Sequence, residues 1–344
     1  MGPTELIAGL ENGDMSLIKS FRAHFIRGAF AGPRPSLNRV TGLVIWSLGF
    51  MAMTYIVGPV CRLVLRLALI GDKNLDGAAY WVKKRAKIVR VLRFIFPDRT
   101  RGAAPEADKK GLIVGFNHPS LHEVFGLVAW SLDTYPGKRN NFPTNLPWYE
   151  SICTCAPLLN KLGIYITPMI TKSTFNRLDR IHRGDDEAVG VISQVRENLL
   201  NYYFSVAVEF ERTGDNTFAA PSTTRQPTVY PRAAEAGGDN NQTRLLPVMS
   251  SLMYRIARAN KDRAPDAVFI PITVIPPKIR VKRLRGIKVF RRYDLIINDG
   301  FSMEEAKRLG RGIDRAFLDK LAESAPDELK YEKINARGVS PCAY

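Results

Sequence analysis

The segment Asn117-His118-Pro119-Ser120-Leu121-His122-Glu123 sets a histidine and a carboxylate five residues apart, directly behind the apolar run Gly111-Leu-Ile-Val-Gly-Phe116. Histidine has the side-chain pKa nearest neutrality, so it suits proton abstraction from a hydroxyl. A carboxylate bonded to its other ring nitrogen fixes the tautomer and stabilises the imidazolium that forms. His118 and Glu123 therefore read as a base and its orienter, with no obvious nucleophilic serine or cysteine beside them. The same letters have a second meaning. Ser120-Leu-His-Glu123 matches the S-x-x-E capping box, in which both side chains satisfy free amides of a starting helix, and Pro119 suits a helix start. The segment alone supports both readings. His122, inside the expected helix, competes for the role of base but reads better as a solvent-facing or packing side chain.

These residues need a scaffold, and the hydrophobic pattern supplies one. The run Leu112–Phe116 has the length of a strand and delivers the histidine to its end. A helix over about Ser120 to Ser131 follows. Leu158 to Ile166 reads as a short helix passing into a strand around Gly163-Ile-Tyr-Ile166. Asp186 to Tyr202 has helical periodicity, with Val189, Ile192, Val195 and Leu199 on one face. Phe204-Ser-Val-Ala-Val-Glu-Phe210 and Val268-Phe-Ile-Pro-Ile-Thr-Val274 read as strands. Asp98 to Lys110 reads as a polar linker and Asn140 to Pro147 as a loop. Thr213 to Arg244, rich in Thr, Pro, Gly, Asn and Gln, reads as a long mobile insertion. Strands alternating with helices predict an α/β fold, a mixed central sheet flanked by helices.

The charge balance narrows the partners. The 344 residues hold 50 Lys+Arg against 33 Asp+Glu, a net +17, which points to an anionic partner, either nucleic acid or a membrane surface. The four cysteines, Cys61, Cys153, Cys155 and Cys342, are too few and too scattered for a disulfide framework. Cys153-Thr-Cys155 has no second ligand pair, so no zinc site is expected. No P-loop or G-x-G-x-x-G signature is present, and no cofactor or metal is called for.

Val40 to Cys61 is uncharged between Arg39 and Arg62. A hydrocarbon core of about 30 Å needs roughly 20 such residues as helix, so the run is long enough to span. Its glycines, proline and polar residues equally suit a buried or re-entrant hairpin in one leaflet. Upstream, Leu17, Ile18, Phe21, Phe25 and Ile26 recur at helical spacing among Lys19, Arg22 and Arg27. Downstream, Tyr80 to Phe96 is a second basic, aromatic-rich amphipathic stretch. Such helices can lie in the interface with their cations towards lipid headgroups, or pack as ordinary surface helices. The basic mass of the chain follows the apolar run, which favours a cytoplasmic domain. Lys278 to Arg292 holds eight cations and no acid. It suits anionic headgroups, an acidic carrier protein, the phosphates of CoA, or simply a solvated basic face.

Four segments together resemble the glycerolipid acyltransferase superfamily, typified by 1-acylglycerol-3-phosphate O-acyltransferase. That family carries N-H-x-x-x-x-D after a strand, then G-x-x-F-x-x-R, then a strand ending in F-P-E-G-T-R, and last an apolar strand containing I-P-V. Asn117-His118 to Glu123 looks like the first block, with Glu in place of Asp. Gly163-Ile-Tyr-Ile-Thr-Pro168 looks like the second, with Thr167-Pro168 where a basic residue is expected and Lys172, Arg177 and Arg180 as substitutes. Val208-Glu-Phe-Glu211-Arg-Thr-Gly214 looks like the third, without the family's Pro and Gly. Phe269-Ile-Pro-Ile-Thr-Val274 looks like the fourth.

The resemblance implies acyl transfer from a thioester, acyl-CoA or acyl carrier protein, to a hydroxyl of a membrane lipid such as a lysophospholipid. His118 would be the base and Glu123 its orienter. Asn117, Lys172, Arg177, Glu211 and Arg212 would bind substrate. Residues 1–97 would form a membrane-associating helical region, and 98–344 the acyltransferase domain with its insertion around 213–244. The protein would work at the cytoplasmic face of the inner membrane, on an anionic surface and without nucleic acid. A basic membrane scaffold derived from such an enzyme is one rival. An enzyme acting on a glycan- or amino-acid-based lipid is the other.

Overall fold

The computed structural model describes residues 59–60, 62–63, 77–105, 111–117, 123–146, 149, 155–170, 174–175, 179, 184, 186–220, 252–260, 262–275 and 292–326. The chain forms two compact units. One takes the chain up to Lys84 together with Asn141–Val206, and the other takes Arg85–Asn140 and everything from Ala207.

The strands are β1 (Asp98–Arg101), β2 (Leu112–Phe116), β3 (Asn140–Asn145), β4 (Ile164–Met169), β5 (Asn216–Ala219), β6 (Val268–Ile275), β7 (Tyr293–Ile297) and β8 (Phe301–Ser302). The helices are α1 (Gly77–Ile95), α2 (Glu123–Thr134), α3 (Ala156–Lys161), α4 (Asp186–Arg212), α5 (Leu252–Asn260), α6 (Met303–Leu309) and α7 (Ile313–Glu323). In the larger unit the strand order is β1-β7-β6-β2-β5. Neighbours are parallel except β7, which runs antiparallel to β6, and β8, which continues along the same edge of β6. In the smaller unit β3 and β4 are neighbours, and Thr167 donates its hydroxyl to the Asn141 amide oxygen at 3.0 Å. The mostly parallel sheet flanked by helices agrees with the expected fold class.

Central position explains the composition of β2. All five of its residues are buried, as befits a parallel strand covered on both faces. On one face Phe218 of β5 meets Trp130 of α2, ring centroids 6.5 Å apart and near perpendicular. On the other, Phe269 of β6 meets Phe317 of α7 at 6.0 Å. Gly115 lies on that second face, where an added Cβ would run into the Phe317 ring and come within 2.5 Å of the Met253 methyl of α5. The glycine lets both helices sit down on the strand. Asp314 of α7 then caps α5, accepting from the Met253 and Tyr254 amides at 2.9 and 3.1 Å.

Four expectations are corrected. Phe204–Phe210 is helix, the last turns of the 27-residue α4. Its buried residues Tyr203, Val206, Ala207 and Phe210 fall at helical spacing, and with no Gly or Pro between Val191 and Thr213 this overrides β-branched propensity. Asn140–Asn145 is strand, not loop: Asn140 and Asn141 are buried and each side-chain oxygen accepts a hydrogen bond. Asn216–Ala219, assigned to the mobile insertion, is β5 beside β2, and its Asn216 amide bonds Asn140 at 2.9 Å. The polar linker likewise contains β1, an edge strand in which Arg99, Thr100 and Arg101 are exposed while the Asp98 side chain is buried against Arg93. The insertion beyond Ala220, the basic run 278–291, and Val40–Cys61 apart from Pro59 and Val60 lie outside the described residues. No helix among the described residues is long and apolar enough to cross a membrane.

Candidate active site

Parallel strands β5, β2 and β6 end at one edge of the sheet, where open α/β sheets place their ligands. The last described residue there is Asn117, one position beyond β2. Its side chain is not free for a substrate. Nδ2 donates to the Val274 carbonyl at 2.8 Å, and Oδ1 accepts the Val274 amide at 2.6 Å. The buried amide therefore copies a peptide group and extends the β2–β6 ladder by one rung.

The strand it grips is anchored in turn. Thr273 donates to the Leu321 carbonyl at 3.1 Å, lies 2.6 Å from the Ser324 hydroxyl, and accepts from the Asn298 amide at 3.0 Å. The chain thus leaves β2 from a platform held by β6, the Asn298 turn and the end of α7. His118 is the next residue, and Glu123 opens α2. His118, the Glu123 side chain, Lys172 and Arg177 lie outside the described residues.

Glu211 and Arg212 are placed elsewhere. Glu211 sits in the last turn of α4, and a Cβ on Gly111 would come within 2.6 Å of its Cα. Gly111 precedes β2 and Asn117 follows it, so six residues of extended chain, roughly 20 Å, separate the two ends. Glu211 is 3% exposed, and neither carboxyl oxygen closes a hydrogen bond, although the Thr217 and Asn260 side chains face it. Burial pushes its carboxyl well above the usual range, and those neighbours only partly offset the shift. Thr217 Oγ1 and Asn260 Oδ1 also lack partners. So desolvated a carboxyl favours its neutral, protonated form. Arg212 is exposed and pairs with Glu209 of its own helix at 3.0 and 2.8 Å. The structure does not bring either residue to Asn117.

The strand beside β2 reveals what the sequence reading missed. β5 continues into Ala220-Pro221-Ser222-Thr223-Thr224-Arg225, which carries Pro, Thr and Arg at the second, fifth and sixth places of F-P-E-G-T-R. The polar composition of the segment conceals the strand before it. On this alignment the fourth block lies on β6, while the first and third come directly after β2 and β5 in sequence, and these three strands are adjacent and parallel. The second block, Gly163–Pro168, includes most of β4 of the smaller unit.

Comparison with solved structures finds the 1-acyl-sn-glycerophosphate (LPA) acyltransferase PlsC from Thermotoga maritima, 13% identical, covering 84% of this chain and 99% of that one, with a TM-score of 0.42. No protein-family model matches the chain, and no curated protein matches it. An overlap at this level carries no inference about chemistry, so the functional reading rests on the residues themselves.

Proposed function

We propose that the protein is an acyltransferase that moves an acyl chain from a thioester, acyl-CoA or acyl carrier protein, to a hydroxyl of a lysophospholipid such as 1-acylglycerol-3-phosphate. One observation carries the reading. Asn117 is locked to Val274 at the carboxyl edge of three parallel strands, so the residue that follows it, His118, starts from a fixed point. His118 takes the acceptor hydroxyl's proton as the oxygen attacks the thioester carbonyl, and Glu123 orients the ring. The tetrahedral intermediate collapses, the C–S bond breaks, and the thiol leaves with the proton from the imidazolium. Base catalysis of this kind contributes roughly 10²–10⁴-fold.

Arg225 replaces Arg212 as the headgroup ligand of the third block, with Lys172 and Arg177 as further cations for a phosphate. Asn117 holds the strand end rather than the substrate. Residues 1–97 form the membrane-associating region and 98–344 the catalytic domain, acting at the cytoplasmic face of the inner membrane. Ser222-Thr223 stands where the family has Glu-Gly, and this favours a second reading in which the acceptor headgroup differs from glycerol phosphate. The test is thiol release from an acyl thioester with a panel of lysolipids, comparing the native chain with His118→Ala. Transfer that His118→Ala abolishes is the expected result, and full activity of that variant would overturn the assignment.

A further inference from the structure

We propose that Phe96 is a positioning residue for the Glu123 carboxylate, acting through the first turn of α2. The role of Glu123 rests on the acyl-transfer reading; the hold on α2 does not. Arg85 donates to the Pro136 carbonyl just past the end of α2, and Arg93 pairs with Asp133 in its last turn at 2.7 Å. At the end of α1, the Phe96 ring stacks on Phe125 in the first turn of α2, centroids 4.7 Å apart and planes 10° from parallel. As the chain advances from Arg85 to Phe96 its partners step back from Pro136 to Phe125, so α1 runs antiparallel along α2. All of these residues lie in one compact unit.

The core does not hold α2 evenly. Every residue from Gly126 to Leu132 is buried, whereas Val124 is half-buried and Phe125 exposed. Helix ends fray first, and this one has the ring stack in place of core burial. Phe96 is itself fixed from both sides. Its amide donates to the Leu92 carbonyl at 2.6 Å, and the carbonyl of the next residue, Pro97, accepts the Tyr293 amide at 2.9 Å where β1 joins β7. β7 pairs with β6, and Leu295 lies opposite Val274, the residue that Asn117 grips. The segment 117–125 is therefore mounted at both ends on neighbouring strands of one sheet, through Val274 at one end and through Phe96 at the other. His118 and Glu123 lie close to those two ends in sequence. A catalytic pair tolerates only about 0.5 Å of error, so the mount of the carboxylate matters as much as that of the base. The last residues before position 98 thereby serve the site of the domain that follows, although none of the four blocks contains them.

Thiol-release kinetics in detergent micelles test the assignment, with amide hydrogen exchange as a readout that needs no reaction. Phe96→Ala should lower kcat about ten- to a hundredfold, as displacement of a catalytic group by about 1 Å does, with the KM for acceptor little changed. Phe96→Tyr keeps the ring and should recover most of the native rate. On a Glu123→Gln background, Phe96→Ala should cost less than about twofold more, because the carboxylate it positions is already gone. The amides of Leu127 and Val128 close the first turn onto the carbonyls of Glu123 and Val124. They should exchange about tenfold faster in Phe96→Ala, while the following turns keep their protection. Phe94→Ala, exposed and two residues away, should leave rate and exchange within about twofold of the native chain. If Phe96→Ala does not fold, Phe125→Ala breaks the same stack from an exposed position and carries the same expectations. A full loss added to that of Glu123→Gln, an equal loss in Phe94→Ala, or native exchange at Leu127 and Val128 overturns the positioning role. A native chain that transfers no acyl group sinks the acyl-transfer reading and the catalytic half of this one, while the exchange rates still decide whether Phe96 holds α2.

Discussion

Asn117 holds Val274 by both polar atoms of its backbone, donating at 2.8 Å and accepting at 2.6 Å. A side-chain amide used in this way gives the last turn of chain before His118 the rigidity of a sheet interior. Asn117→Asp keeps the acceptor and sets a second oxygen against the Val274 carbonyl; Asn117→Ala removes both bonds. Each should cost about 1–3 kcal/mol in denaturant unfolding. Displacing a base by even 1 Å can cost about 10²-fold in rate. Thiol-release kinetics should therefore show the loss mainly in kcat, with the KM for acceptor little changed. A large KM effect at constant kcat would return Asn117 to the role of substrate ligand.

Gly115 makes a separate demand on the same strand. An added methyl meets the Phe317 ring and the Met253 methyl together, and both side chains are fully buried. Gly115→Ala should destabilise the chain by about 1–3 kcal/mol through overpacking. Gly137, with nothing near its absent Cβ, provides the control. Gly137→Ala should stay within about 0.5 kcal/mol in urea titrations.

The buried carboxyl of Glu211 ties stability to pH. Its pKa is raised in the fold, so the folded chain keeps a proton that the unfolded chain releases in the ordinary carboxylate range. The stabilisation is complete below the unfolded pKa of about 4.3 and is lost as pH rises through the folded value, at about 1.4 kcal/mol per unit. Glu211→Gln keeps the shape and polarity of the side chain but removes its titration. The stability of this variant relative to the native chain should grow from pH 4 towards the folded pKa, as followed by thermal melts in a buffer series. A difference that does not vary with pH would mean the native group is ionised.

Some of this architecture was open to reading from the letters. The apolar runs 112–116 and 268–274 announced β2 and β6 because central parallel strands are buried on both faces and need no alternation. The same logic hid β5. Asn216 and Thr217 are polar yet buried, and the Asn216 amide finds its partner in Asn140, a pairing across 76 residues that no local window contains. Tyr203 to Phe210 satisfied two periods at once, and the helical one prevailed because its apolar stripe continues from Leu199. The S-x-x-E pattern was equally double-edged. At Ser302–Glu305 that spacing closes a capping box, with Ser302 accepting from the Glu305 amide and Glu305 from the Ser302 amide. The role of Asn117 was invisible for a different reason: its partner is a backbone group, and sequence does not display those.

Placing the third block on β5 divides two arginines that the sequence alone could not. Arg212 is exposed and already held by Glu209 on its own helix, whereas Arg225 comes six residues after the end of β5 in sequence, and β5 runs parallel to β2. An arginine opposite a phosphate forms charge-assisted, often bidentate hydrogen bonds worth about 1.5–3 kcal/mol, or roughly ten- to a hundredfold in binding. Arg225→Ala should raise the KM for an anionic lysolipid by about that factor, and affect an uncharged monoacylglycerol much less. Arg212→Ala should leave both substrates within about twofold of the native chain. The two variants measured side by side decide the alignment: a headgroup-dependent loss in Arg212→Ala, with Arg225→Ala unaffected, would move the third block back to the end of α4.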